Sequence, residues 1–141
     1  MIAQVAWLLA PECERRRIQW NSRLDSPVVA LIDRAQMEQA LLNICRNALE
    51  AIEAGGTVTV WVGSVEGRQT LVVEDTGEGI AEEVRGQLFT PFFTTKPHGQ
   101  GLGLTLVHEI LTRHGLAHDL TGPPGGPTRF TIWFDEAWVR S

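Results

Sequence analysis

The chain is short of cysteine, of basic charge and of long apolar runs, and each shortage excludes something. Its two cysteines, Cys13 and Cys45, stand in no Cys-x-x-Cys or Cys/His spacing, and a pair in 141 residues makes no disulfide framework. That usage predicts a reducing, cytoplasmic compartment. The formal net charge is −5, from 12 Lys and Arg against 17 Asp and Glu, and the basic residues are scattered apart from Arg15-Arg16-Arg17. No basic stripe is present to follow a nucleic-acid backbone, so nucleic acid is not an expected partner. The arginine triplet reads as the solvated edge of a strand. No apolar run reaches the roughly 18 residues of a membrane span, and the first ten residues lack the basic start of a signal peptide. Direct membrane contact is therefore not expected of this chain, and neither an internal repeat nor a low-complexity segment is present.

With 43% hydrophobic residues, residues 1–141 fit a single domain, long enough to bury roughly two-thirds of its unfolded surface. The chain opens mid-element, as a piece of something longer would: Ile2, Val5, Leu8 and Leu9 recur at helical spacing up to Pro11. Arg17 to Leu24 and Pro27 to Ile32 read as two short strands bridged by Asp25-Ser26. Asp33 then caps a long helix whose Met37, Leu41, Ile44, Cys45, Ala48 and Ile52 share one face until Gly55-Gly56 stops it. Thr57 to Val62 alternates as a half-buried strand, joined through Glu66-Gly67 to a second at Gln69 to Glu74. Asp75 to Gly101 shows little regular pattern and, at roughly 26 residues, exceeds the usual length of a structureless loop, which suits a functional lid or a misread segment. A helix over Leu102 to His114, a stop at Gly115 and a strand at Ala117 to Thr121 follow. The turn Gly122 to Pro127 leads into a last strand, Arg129 to Phe134.

Within that frame four stretches carry chemistry. Gly99-Gln100-Gly101-Leu102-Gly103 lets backbone N–H groups approach an anion closely, and a helix starting there adds its unpaired N–H groups and positive dipole end. Such a run also serves as an ordinary turn. On the long helix Asn43, Asn47 and Glu50 are spaced as neighbours away from the apolar face. That stripe suits a solvated face, yet Asn is a poor choice in a helix interior, which hints that the amide oxygens are used. Amide oxygens are hard neutral ligands that suit Mg²⁺ where phosphates and waters complete the shell. In Val73-Glu74-Asp75-Thr76-Gly77-Glu78-Gly79-Ile80 a carboxylate at a strand end precedes two glycines; it reads as a turn, or as a carboxylate that accepts from adenine's exocyclic amine and rejects guanine. Phe89, Phe92 and Phe93 form an aromatic group inside a polar loop, either a small core beneath that loop or an exposed patch for a partner.

In this order the pieces resemble the catalytic, ATP-binding domain of two-component sensor histidine kinases, within the ATPase group that includes gyrase, Hsp90 and MutL. Gln36 to Ala48 looks like the asparagine box, Asp75 to Gly79 the first glycine box, Leu88 to Lys96 the phenylalanine box and Gly99 to Leu104 the second glycine box. Gly126 to Ile132 is similar to the family's final strand, although Pro127 stands where a Gly or small residue is usual. Arg46 to Ala51 and the Phe-Thr-Thr-Lys-Pro run resemble the nitrogen-regulatory type most.

The resemblance implies an α/β two-layer sandwich of the Bergerat ATP-binding kind, a mixed sheet of about five strands packed on three helices. Its lid would lie at about residues 81–101, and the phosphoacceptor and dimerisation domain is not in this chain. The implied ligands are ATP and Mg²⁺. Asn47 would ligate the metal, and Asn43 would support it or its waters. Asp75 would bind adenine N6, with Gly77 and Gly79 letting the base lie against the backbone. Gly99, Gly101, Leu102 and Gly103 would receive the phosphates, Thr128 would reach the base through water, and Lys96 and Arg46 are phosphate contacts on charge and position. Phe89, Phe92 and Phe93 would dock the lid on the histidine-bearing domain of the same parent protein, with a response regulator downstream. His108-Glu109 pairs residues in the manner of a phosphoacceptor but falls after the second glycine box, on the exterior of a helix. His114 and His118 are separated by Gly115, which spoils the i, i+4 geometry of a zinc pair. His98 reads as a solvated lid residue. Two rivals stand beside the kinase. An ATP-hydrolysing switch of the gyrase or MutL kind needs a glutamate base where Asn43 stands, and a nucleotide-binding pseudokinase would keep the boxes without transfer.

Overall fold

The first helix, α1 (Ile2–Arg16), buries Val5, Leu9 and Cys13, three residues at four-residue spacing on one side. In the computed structural model, which describes residues 2–25, 33–52, 55–76, 103–121 and 127–134, α1 runs through Pro11 instead of ending there. A proline inside a helix costs about 3 kcal/mol. Pro11 sits on the exposed side, opposite the three anchors, so buried contacts before and after it hold one continuous rod. Leu8, expected on the buried face, is 46% exposed. Arg15 and Arg16 are the last turn of α1, not the edge of a strand; cations there complement the negative end of the helix dipole.

The helix stops in a reciprocal cap. Ile18 N–H donates to the Cys13 carbonyl at 2.9 Å and Arg17 N–H to the Glu14 carbonyl at 3.2 Å, with Arg17 in the left-handed region at φ 56°. The chain turns directly into β1 (Gln19–Leu24). The second segment of the expected strand pair, Pro27 to Ile32, lies outside the described residues.

Helix α2 (Arg34–Ala51) starts as the sequence predicts, with the Asp33 carboxylate accepting from the Gln36 N–H. Met37, Ala40, Leu41, Ile44, Cys45, Ala48 and Leu49 are buried along it, and Ile52 just past its end. Strands β2 (Thr57–Val65) and β3 (Arg68–Asp75) follow. They form a tight hairpin in which Glu66 and Gly67 both take positive φ, 53° and 81°, the conformation that matches strand twist. Helix α3 (Gly103–Arg113) buries Val107, Ile110 and Leu111, and β4 (Ala117–Thr121) and β5 (Thr128–Phe134) complete the chain's described elements.

The five strands form one sheet in the order β1-β2-β3-β5-β4. β1 runs parallel to β2, and the other pairs are antiparallel. α2 packs between α1 and α3. Val58, Val60, Val62, Leu71, Val73, Phe130, Ile132 and Phe134 are buried at alternate positions of the three central strands and share one core with the helices. The result is the expected two-layer sandwich with a five-stranded mixed sheet and three helices among the described residues.

Candidate functional site

The inner face of the sheet is apolar until β3 ends, where Asp75 continues the series Leu71, Val73, Asp75 and is buried at 3% exposure. A carboxylate so deep must be engaged by polar groups, because an unpaired buried charge is strongly unfavourable, and Asp75 is among the residues with a polar contact. The register sets its neighbours: Asp75 lies opposite Val58 on β2 and opposite Thr128 on β5. Cross-strand partners have their Cβ atoms about 4.5–5.5 Å apart, so Thr128, half-buried at the start of β5, adjoins the carboxylate. One step along the same ladder Arg129 holds Glu74, with Nη2 and Nε donating to one carboxylate oxygen at 2.7 and 2.9 Å. That pair is half-exposed and adds at most about 1 kcal/mol, but it ties the ends of β3 and β5 together beside Asp75.

Asn43 and Asn47 are both half-buried on α2, one turn apart, flanking its buried face. Asn47 has a polar contact of its own. Arg46 and Glu50 are exposed. Gly103 opens α3, as expected of a glycine feeding a helix N-terminus. Gly77, Gly79, Lys96, Gly99, Gly101 and Leu102, the three phenylalanines Phe89, Phe92 and Phe93, His98 and the lid at about 81–101 lie outside the described residues.

The donor set bears on whether a metal fits here. Among the described residues no group of three or more His, Cys, Asp or Glu could hold an ion. Two half-buried amides supply hard oxygens but no charge, which fits a Mg²⁺ that arrives with a polyphosphate and keeps waters, not one caged by protein.

Three contacts have no signal in the sequence. His114, at the end of α3, donates from Nδ1 to the Ile110 carbonyl at 2.7 Å and accepts the Asp33 N–H on Nε2 at 3.0 Å. His108 and His118, which spacing alone separates, meet Nδ1 to Nε2 at 2.8 Å, with His118 Nδ1 donating to the Leu116 carbonyl. His108 and Glu109 are on the exterior of α3, as predicted, and Glu109 pairs with Arg113. The third contact is made by Thr76, whose hydroxyl accepts the Thr57 N–H at 3.0 Å.

Residues 32–137 match the family described as histidine kinase-, DNA gyrase B-, and HSP90-like ATPase. The chain belongs to that ATPase family. Sensor histidine kinases are among its relatives. The chain is 39% identical over 101 residues to the sensor histidine kinase ZraS of Escherichia coli O157:H7, an alignment that covers 72% of this chain and 22% of ZraS. It superposes with a TM-score of 0.84 on the nucleotide-free catalytic domain of the histidine kinase ThkA, at 26% identity, covering 96% of this chain and 90% of that one. Full-length ShkA, solved in complex with AMPPNP, gives a TM-score of 0.84 at 30% identity over 99% of this chain and 29% of its own. The chain thus has the fold of a histidine kinase catalytic domain and spans about a fifth of the length of the ZraS it matches. The hydrolysing-switch and pseudokinase readings gain no support from these relatives.

Proposed function

We propose that this ATPase-family domain holds Mg-ATP for a sensor histidine kinase and presents the γ-phosphate to a histidine on a separate helical domain of the same parent protein. The observation that carries the proposal is the buried Asp75 at the end of β3, opposite Thr128, with Asn43 and Asn47 on a helix packed on that same inner face. A carboxylate in that place accepts a hydrogen bond from the adenine amino group, whereas guanine would set a carbonyl oxygen against it. Thr128 would reach the base through water. Gly77 and Gly79 would leave room for the base, and Gly99, Gly101, Leu102 and Gly103, with Lys96 and Arg46, would meet the phosphates.

Bound with the nucleotide, Mg²⁺ would neutralise phosphate charge, with Asn47 as its protein ligand and Asn43 behind it. An imidazole nitrogen of the partner domain attacks the γ-phosphorus, the bond to the β–γ bridging oxygen breaks, and ADP departs; the imidazole proton goes to a base on the partner. The work left to this domain is positioning and charge neutralisation. Phe89, Phe92 and Phe93 would dock on the histidine-bearing domain, and the phosphoryl group would pass on to a response regulator. The domain would act in the cytoplasm, with neither nucleic acid nor membrane in contact with it; among the described residues no helix is long and apolar enough to cross a membrane.

Calorimetric titration with ADP and ATP tests the reading. Binding should be selective over GDP, should weaken without Mg²⁺ and in Asn47→Ala, and should drop at least about tenfold in Asp75→Asn, the scale of one hydrogen bond to a charged group. Equal affinity for GDP, or an undiminished Asp75→Asn, would sink it.

A further inference from the structure

At the junction that presents Asp75, the ladder between β2 and β3 ends in an unusual way. In a regular antiparallel pair of the narrow kind, opposed residues exchange two main-chain bonds. Val58 lies opposite Asp75, so the next such pair is Thr57 with Thr76. Thr76 N–H does donate to the Thr57 carbonyl, at 3.2 Å. The return bond is not to a carbonyl: Thr57 N–H donates to the Thr76 hydroxyl at 3.0 Å. A side-chain oxygen has taken the place of a main-chain one. The Thr57 N–H and carbonyl are thereby both paired with Thr76, without use of the Thr76 carbonyl, one residue beyond the end of β3 at Asp75.

The same spot explains a glycine. A Cβ on Gly56 would stand 2.6 Å from the Thr76 hydroxyl and would collide with the Ile52 side chain at the end of α2. Gly56 itself accepts from Gln19 N–H at 2.9 Å, and Gly55 donates to the Arg16 carbonyl at 3.3 Å. The Arg16 guanidinium donates in turn to the Ile52 carbonyl. The ends of α1, α2 and β3 and the starts of β1 and β2 are thus knitted at one point, to which Thr76 joins the end of β3 through both its N–H and its hydroxyl.

We infer that Thr76 is a positioning residue for adenine recognition: its hydroxyl, bonded to Thr57 N–H in the space left by Gly56, fixes where the strand ends and hence where the Asp75 carboxylate points. The inference rests on the proposed role of Asp75. It predicts that a small change at Thr76 lowers selectivity for the base.

The test compares Thr76→Val, which keeps the shape and deletes the acceptor, with Thr76→Ser, which restores it. A third variant, Ile132→Val, trims a buried methyl on β5 away from the junction as a stability control. ADP and GDP affinities are measured by calorimetry, and folding by thermal unfolding. Thr76→Val should weaken ADP binding about tenfold, the effect of misdirecting one hydrogen bond to a charged group, and should narrow the ADP-to-GDP ratio. Thr76→Ser should recover both, Gly56→Ala should reproduce the loss, and Ile132→Val should lower the melting temperature with affinity unchanged. If Asp75→Asn weakens ADP but Thr76→Val does not, or if Ile132→Val weakens it equally, the inference is overturned and the site stands. If Asp75→Asn has no effect, the site and the inference fall together.

Discussion

Arg17 holds a backbone conformation that glycine holds at the equivalent place on another helix. α3 ends with Gly115 at φ 68°, Gly115 N–H donating to the Thr112 carbonyl at 3.0 Å and Leu116 N–H to the Leu111 carbonyl at 2.9 Å. α1 ends in the same pair of bonds, but around an arginine at φ 56°. A side chain in that region costs about 1–2 kcal/mol, and glycine's extra freedom in the unfolded chain takes back about 0.5–1 kcal/mol. Arg17→Gly is therefore expected to stabilise the domain by up to about 1.5 kcal/mol, read as a rise in denaturation midpoint at unchanged slope. A fall would show that the Arg17 side chain contributes more than its backbone conformation costs.

At the scale of elements, α2 is the part that both the core and the site depend on. Its N-terminus is held twice: the Asp33 carboxylate accepts from the Gln36 N–H, and the Asp33 N–H donates to the imidazole of His114, just past the end of α3. Asp33→Ala removes the first bond and leaves the second. It should cost about 1 kcal/mol, the usual value of such a cap, measured by chemical denaturation; no loss would mean that the His114 bond alone holds the helix start. The cap was legible because it is local, a carboxylate three residues from the N–H it serves. So were the hairpin turn at Glu66-Gly67, the apolar face of α2 and the alternation of β2, each a pattern within one element. Pro11 misled because its effect depends on what lies on the other side of the helix, where Val5, Leu9 and Cys13 are anchored in a core that no local window contains. Arg15 and Arg16 misled for the same reason, since a charged helix end and a charged strand edge look alike until the preceding turn is placed. In the site, Asn43, Asn47 and Asp75 were marked by the wrong residue type for their position, a signal carried by each alone. The pairing of Asp75 with Thr128, the Thr76 bond to Thr57 and the meeting of His108 with His118 join distant segments, and nothing local encodes them.

Taken whole, the described part of the molecule buries Asp75 at the end of β3 and engages its own histidines elsewhere. His114 bridges two helices and His108 pairs with His118, so these imidazoles are committed to the fold. The domain alone, incubated with γ-labelled ATP, is expected to retain no acid-labile phosphate, and the histidine-bearing helical domain of its parent, added in trans, is expected to take up the label. Stoichiometric labelling of this chain by itself would contradict that division of labour. Following such a pair of domains needs a reporter on each, and the burial of two thiols bears on how one is attached. Cys13 and Cys45 are both free and buried, with burial pushing the Cys45 thiol up to about 12 and Cys13 upward as well. Protonated and shielded sulfur is a poor nucleophile toward maleimides. One cysteine introduced on the exposed side of α3 thus gives a dye a single address, with both native cysteines left in place.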